Sequence, residues 1–370
     1  MKTLAELSLN ATVAKIRAVY GKRILNEQYR DMLGCKNVCD IAEYLKRNTH
    51  YAQALAGLDT LTVHRGLLEE ILQNCVLEMY YGFCAFQELN KKPFYRFHIV
   101  WLEIVQILNM ILRLKANTAG DYIVSLPASL LHMASFDIVS AARAKTFKEL
   151  SDSLKGTDYY TVLSKLDSHS DFTQCERNLR TYYLNWLMNT AKESFTDGVR
   201  DELLLQIKTQ VDLINIINAY RLKSVFNADV KTVKENMLPF DGRISKRKSD
   251  ELVNAQSVSV FLKVLSETVY GKQLPGIAQL NITDGGMSAG ENGEIFPASA
   301  QSVEFERQLY KLRYNLARRA LEFSTHAAVS LHAVTYLFET ELKNITRIIE
   351  GIRYGKSVSY IEKMLITSDG

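Results

Sequence analysis

Apolar residues recur at three- and four-residue spacing through most of this chain. The pattern is clearest over residues 61–89, 95–116, 172–191, 199–224 and 301–350. A face of that period marks a helix packed along one side. The last stretch is too long for one straight globular helix, so a break is expected near Thr325 or Leu331. Nowhere does a run of Val, Ile and Thr alternate between Asn-Gly or Asp-Gly turns, so no substantial sheet is expected. Breakers are scarce, with 5 Pro and 18 Gly in 370 residues, which suits helices joined by short turns. The expected fold class is all-α.

The chain also repeats itself. Leu45-Lys46 precedes Thr49-His50-Tyr51, Leu154-Lys155 precedes Thr157-Asp158-Tyr159, and Leu262-Lys263 precedes Thr268-Val269-Tyr270. A Glu-x-x-Leu follows each: Glu69 to Leu72, Glu176 to Leu179, Glu306 to Leu309. Then come an acid, an amide three residues on, and isoleucine: Glu103-Gln106-Ile107, Asp212-Asn215-Ile216, Glu341-Asn344-Ile345. The threonines stand 108 and 111 residues apart, and the intervals from threonine to acid are 54, 55 and 73. A Gly-rich insert between Asn281 and Pro297, with Asp284-Gly285-Gly286, Gly290 and Gly293, accounts for the longer third interval. A triplication follows. Its units are 1–117, 118–228 and 229–370, the last carrying the insert near 281–298.

Acid and amide at i and i+3 share one helix face. Two readings are open for them. Each carboxylate ties a neighbouring helix in its own unit, or three equivalent helices line a central surface and present polar groups to one shared partner. The interface or structural candidates are therefore Glu103, Gln106, Asp212, Asn215, Glu341, Asn344, Thr49, Tyr51, Thr157, Tyr159, Thr268 and Tyr270.

Composition narrows the function. At 47% hydrophobic the chain can bury a sizeable core. The net charge of +4, spread as +4, −1 and +1 over the units, is too small to indicate a nucleic-acid binder. The apolar stretch 98–115 is interrupted by Glu103, Gln106, Asn109 and Arg113, so no membrane span is expected. Met1–Glu6 lacks the apolar core of a signal peptide, and five irregularly spaced cysteines fit a reduced cytoplasmic protein. Any membrane role would then be peripheral.

Catalytic and cofactor motifs lack their minimum parts. Gly355-Lys356-Ser357 misses the phosphate-loop spacing from Gly351 and reads as a helix end. Cys35 and Cys39 have no second Cys/His pair nearby for zinc. His326 and His332, six apart, do not share a helix face well. Ser245-Lys246-Arg247-Lys248 reads as a solvated loop or helix end. The pairs Tyr80-Tyr81, Tyr159-Tyr160 and Tyr182-Tyr183 are expected to send one ring inward and leave one at a boundary. No cofactor, metal or active site of the chain's own is expected.

These landmarks together resemble the C subunit of bacterial and archaeal V-type ATPases, which corresponds to the d subunit of the eukaryotic enzyme. The likeness spans the chain. It rests on Ala14-Lys15-Ile16-Arg17-Ala18-Val19-Tyr20 with Ile24-Leu25, on Tyr44-Leu45 with Thr49-His50-Tyr51, and on Phe305-Glu306 and Glu322-Phe323. Its most specific part is Glu341-Leu342-Lys343-Asn344-Ile345-Thr346-Arg347-Ile348-Ile349. The resemblance implies three similar helical units in a pseudo-threefold funnel at the cytoplasmic face of the membrane. It implies a non-catalytic rotor part that joins the central stalk, made of the D and F subunits, to the membrane proteolipid ring. The expected stalk contact is modest and polar, and weakens with salt. The competing reading is an all-helical scaffold for other partners, although a unit of this length is long for a solenoid repeat.

Overall fold

The computed structural model describes residues 4–86, 89–116, 128–166, 172–274, 277, 288–289, 295–296 and 300–367. Among them the chain makes three rounds, each with short helices followed by two long ones, and the first round is preceded by the 17-residue α1 (Leu4–Tyr20). The first round holds α2 (Asn26–Leu33) and α3 (Val38–Asn48), then α4 (Arg65–Ala85) and α5 (Phe97–Lys115). The second holds α6 (Ala128–Met133), α7 (Ile138–Ala142), α8 (Phe147–Ser153) and α9 (Asp158–Leu163), then α10 (Phe172–Ser194) and α11 (Asp197–Ser224). The third holds α12 (Val230–Glu235), α13 (Lys246–Asn254) and α14 (Val258–Ser266), then α15 (Ala300–Phe323) and α16 (Ala327–Arg353). It finishes with α17 (Val358–Met364). The fold is all-α. The one β feature among the described residues is a two-residue antiparallel ladder, Ser288–Ala289 against Ile295–Phe296, inside the Gly-rich insert. The rest of that insert, and the first unit boundary at 117–120, lie outside the described residues.

Local chemistry sets the helix limits. Equivalent short helices begin at equivalent caps. Asn37 accepts the Asp40 N–H at 3.0 Å, Thr146 that of Glu149 at 3.1 Å, and Ser257 that of Val260 at 3.3 Å. Each satisfies an amide that the first helical turn leaves without a partner. The expected break falls at Ser324–His326, between α15 and α16. There the Arg17 guanidinium of α1 donates to the carbonyls of Leu321 and Ser324, both at 2.8 Å. A cation at a helix C-terminus meets both the orphan carbonyls and the negative end of the dipole.

Helix α16 is the axis of the packing. Nineteen of its 27 residues are buried, so it is enclosed on most sides rather than along one stripe. It packs against α15, α1, α4 and α11, while α5 packs against α10 and α11 against α15. A second core joins the C-terminal half of α11 to α12, α13, α14 and α15, with Tyr220, Phe261 and Phe305 stacked at its centre. Residues Pro93–Lys115 are long and apolar enough to cross a membrane, with mean hydropathy 1.5 over their most apolar 18 residues, but 61% of those 18 are buried within the protein. Its apolar face is used for the core.

Candidate functional sites: three buried carboxylate nodes and a central cleft

The three acids found by spacing are buried, with Glu103 at 0%, Asp212 at 6% and Glu341 at 5% exposure. Each accepts a hydrogen bond from the tyrosine of a Thr-x-Tyr segment. Tyr159 donates to Glu103, Tyr270 to Asp212 at 2.8 Å, and Tyr51 to Glu341 at 2.9 Å. Each also accepts a backbone N–H from an intervening turn. Ser135 donates to Glu103, Arg243 and Ile244 to Asp212 at 2.6 and 3.1 Å, and Ile24 to Glu341 at 2.7 Å. A buried carboxylate is tolerated when its lone pairs are met in this way.

The pairing runs from one round to the next. Glu103 lies 56 residues before its tyrosine and Asp212 lies 58 before its own. Glu341 reaches back 290 residues to Tyr51 and 317 to Ile24. The third acid thus ties the last round to the first. With units drawn at 117/118 and 228/229, every acid and its tyrosine fall in different units.

The threonines explain why tyrosine sits two residues later. Thr49, Thr157 and Thr268 donate at 2.7, 2.8 and 2.7 Å to the carbonyls of Leu45, Leu154 and Leu265. This closes the end of the preceding helix. Thr49 and Thr268 then accept the N–H of Tyr51 and Tyr270, each at 3.3 Å, which fixes where the ring emerges. Burial, and then the partner carboxylate, holds all three tyrosine hydroxyls well above the ordinary phenol range. They act as donors.

Two amides make reciprocal bonds to one backbone residue. Asn215 donates to the Leu238 carbonyl at 3.2 Å and accepts its N–H at 2.7 Å. Asn344 does the same with Ile366, at 2.7 and 3.0 Å. Gln106 is buried at the third equivalent position. At the second node acid and amide therefore clamp two successive stretches of the chain that follows them, Asn215 at Leu238 and Asp212 at Arg243 and Ile244.

The Asp212 node needs a glycine. A Cβ built on Gly242 would lie 1.7 Å from Asp212 Oδ1, so only a bare backbone lets Arg243 and Ile244 reach the carboxylate. Burial raises the Asp212 pKa, with the Tyr270, Arg243 and Ile244 bonds opposing that shift. The Glu341 node differs by a histidine: His50 Nε2 lies 2.6 Å from Glu341 Oε1, where the other two segments carry Asp158 and Val269. Spacing alone does not mark His50 or Ile24, because neither belongs to the shared pattern.

A cleft of about 480 Å³ opens beside α16, lined by the long helices α5, α10, α11, α15 and α16 of all three rounds. Its charged lining is five Arg and Lys residues against Glu176 and Glu339. Arg180 pairs with Glu176 at 2.7 Å, and Arg221 makes a two-pronged pair with Glu306, at 2.7 and 2.6 Å. Arg313 lies over the Tyr336 ring, 3.8 Å from its centroid. His98 Nδ1 is 3.4 Å from Glu339 Oε1. Burial pushes Glu339 up, but His98, Lys343 and Arg313 outweigh this and hold it below the usual carboxylate range. Arg313, His332 and Tyr336 form a wall shared with an adjoining, more apolar chamber of about 370 Å³. The Glu339–Lys343 spacing on one helix is the available sequence signal for this lining.

The remaining motifs have local roles. Gly355, at φ +61°, ends α16, with Lys356 N–H returned to the Gly351 carbonyl at 2.9 Å. Ser357 then caps α17. Ser245 caps α13, and Lys248 pairs with Glu251 and Glu267, each at 2.6 Å. Cys39 donates to the Leu61 and Val63 carbonyls. Among the described residues no cluster of three or more His, Cys, Asp and Glu is placed to hold a metal ion.

These features define an all-helical protein of repeated segments, whose recurrent polar side chains make internal ties between successive rounds. The chain belongs to the ATP synthase (C/AC39) subunit family, whose model matches residues 12–364. It is similar to the A-type ATP synthase C subunit of Desulfurococcus sp. (strain SY), 24% identical over 270 residues, which covers 72% of this chain and 70% of that protein. It is also similar to the A-type ATP synthase C subunit of Pyrococcus abyssi (strain GE5 / Orsay), 23% identical over 347 residues, covering 91% and 85%.

Proposed function

We propose that this chain is the non-catalytic central-rotor subunit of a rotary ATPase of the V/A type. It couples the central stalk, made of the D and F subunits, to the membrane proteolipid ring, so that ATP turnover drives ion translocation or is driven by it. It sits at the cytoplasmic face as a peripheral part of the complex. The three rounds form a pseudo-threefold funnel, and the cleft beside α16 is its socket. Family membership supports the assembly. The observation that carries the mechanical role is the Glu341 node, which ties the last round to the first. A part that transmits torque must resist opening, and a ring closed by buried, fully satisfied polar ties does so.

The test is size-exclusion chromatography with light scattering on the purified chain mixed with the D and F subunits from the same source. A stable complex with one copy of this chain is expected, weakening as salt rises. Absence of any complex between well-folded components at low salt would overturn the coupling role and favour a scaffold for other partners.

A further inference from the structure

The apolar chamber beside the cleft is a slot lined by α11, α15 and α16. It starts at the turn joining the last two helices, where Ser324 donates to Glu202 at 2.7 Å. Further along, Gln206 meets His332 at 2.5 Å. On α15 the lining runs from Phe323 back to Arg313, a rise of about 15 Å.

The middle of the slot is apolar. Leu316, Ala317 and Ala320 of α15 line it together with Val329 and Ala333 of α16. The three alanines leave space that longer side chains would fill. His332 adds a neutral ring at physiological pH, because burial and then Arg313 hold its pKa down to about 4. Leu205 and Phe323, also on the lining, stay 49% and 73% exposed.

The two ends differ in charge. The Glu202 carboxylate stands at the turn. Arg313 and Arg243 stand at the far end, both half-buried. Arg243 is placed there by its own N–H, which donates to Asp212 just beyond Thr209 on α11. Among the described residues neither arginine is ion-paired with a carboxylate. Arg313 is braced over the Tyr336 ring, 3.8 Å from its centroid. Arg319, the remaining cation on the lining, is exposed. An apolar slot with two guanidinium groups at one end complements an amphiphile whose head is a carboxylate.

Volume narrows the occupant. An apolar cavity of about 150 Å³ holds one benzene ring. The chamber, at about 370 Å³, takes a single chain of roughly 12–15 carbons on that scale. It is smaller than one helical turn, which fills roughly 400–600 Å³.

We propose that the chamber binds a single-chain fatty acid, with its carboxylate on Arg313 and Arg243 and its acyl chain along Leu316, Ala317, Ala320 and Ala333 toward Phe323. The site is separate from the coupling role and does not depend on it.

The experiment is calorimetric titration of the purified, delipidated full chain with dodecanoate below its micelle concentration, beside octanoate and dodecanol. One saturable site per chain is expected, with each methylene from octanoate to dodecanoate tightening binding by ~2–4-fold. Arg313→Gln with Arg243→Gln should weaken dodecanoate by ~10-fold or more and leave dodecanol within twofold. Ala320→Phe, which fills the slot, should weaken acid and alcohol alike by ~10-fold or more. Lys231→Glu, on the exposed helix α12, is the control and should change neither. Each variant is checked for native helicity and melting temperature. Leu205→Trp at the rim gives a second readout that needs no filled slot: its emission should shift to the blue as dodecanoate saturates. Failure of the parent to bind dodecanoate saturably overturns the proposal. So does binding that Ala320→Phe leaves within twofold, or an arginine pair whose loss affects acid and alcohol equally. If dodecanoate does not bind while Phe323→Asp weakens the complex with D and F, the chamber is a protein contact and the proposal is wrong.

Discussion

Tyr51 and Glu341 are 290 residues apart in sequence and share a buried hydrogen bond of 2.9 Å. The same two residue types meet at Tyr159–Glu103 and Tyr270–Asp212, but there the chain runs continuously from acid to tyrosine. At Tyr51–Glu341 the connection is noncovalent. The repeated unit is best drawn from each acid helix to the tyrosine that follows it, with the third unit passing from α16 back to α2 and α3. The core around Tyr220, Phe261 and Phe305 obeys the same rule, since it joins the second acid helix to the short helices after it.

Removing the hydroxyl at this junction leaves a buried carboxylate with one donor fewer. Tyr51→Phe is expected to lower stability by ~1–3 kcal/mol, measured by urea unfolding. Because His50 and Ile24 still reach Glu341, the carboxylate stays partly satisfied. A double-mutant cycle with Glu341→Gln should return a coupling of at least ~0.5 kcal/mol. Additive losses would show that the two residues do not act as one unit.

Much of this is legible in the sequence because the repeat carries chemistry as well as apolar period. Helix spacing locates the six long helices to within a few residues and offers Thr325 or Leu331 for the break; it falls at the first, between Phe323 and Ala327, and Leu331 lies inside α16. The spacing of Tyr, acid and amide picks out residues that the fold buries, with the three threonines half-buried beside them. Their pairing is not legible. A period tells which positions are equivalent, but not whether position one of a unit meets position three of its own unit or of the previous one. His50 and Gly242 are silent for a different reason. Each serves a single node, so neither recurs at the period.

Gly242 is such a case. A methyl group there would sit 1.7 Å from Asp212 Oδ1 and displace either the carboxylate or the turn that donates to it. Gly242→Ala is expected to cost ~1–3 kcal/mol, as overpacking does, and to lower the melting temperature by several degrees. The matched control is Gly57→Ala, where a Cβ would meet nothing within 4 Å. Equal melting temperatures for the two variants would show that the turn has room the geometry denies.

Asn344 ties the chain after α17 to α16 by two bonds to Ile366. Asn344→Ala leaves the Ile366 N–H and carbonyl buried without that partner, a loss of ~1–3 kcal/mol by the cost of orphaned polar groups. The effect should be local. Limited proteolysis is expected to cut between residues 353 and 367 faster than in the parent, with the α4 and α10 regions unchanged. Uniform acceleration across the chain would mean that the amide supports the whole fold rather than this one stretch.

His332 sets an acid limit on stability. It is buried, its Nδ1 is 2.5 Å from Gln206 Oε1, and its pKa is held down to about 4, first by burial and then by the charge of Arg313. Below the ordinary imidazole value of 6.5 the unfolded chain takes up a proton that the folded residue refuses until about pH 4. The unfolded state then binds more protons, so stability rises with pH across that window and is lost as pH falls through it. The full contribution is present above about 6.5 and amounts to up to ~3 kcal/mol. His332→Gln removes the titrating group while keeping a polar side chain toward Gln206. Urea midpoints measured from pH 7 to pH 4 should fall less steeply in this variant than in the parent. Parallel falls would assign the acid limit to other groups and show that His332 takes up its proton over the same pH range folded and unfolded.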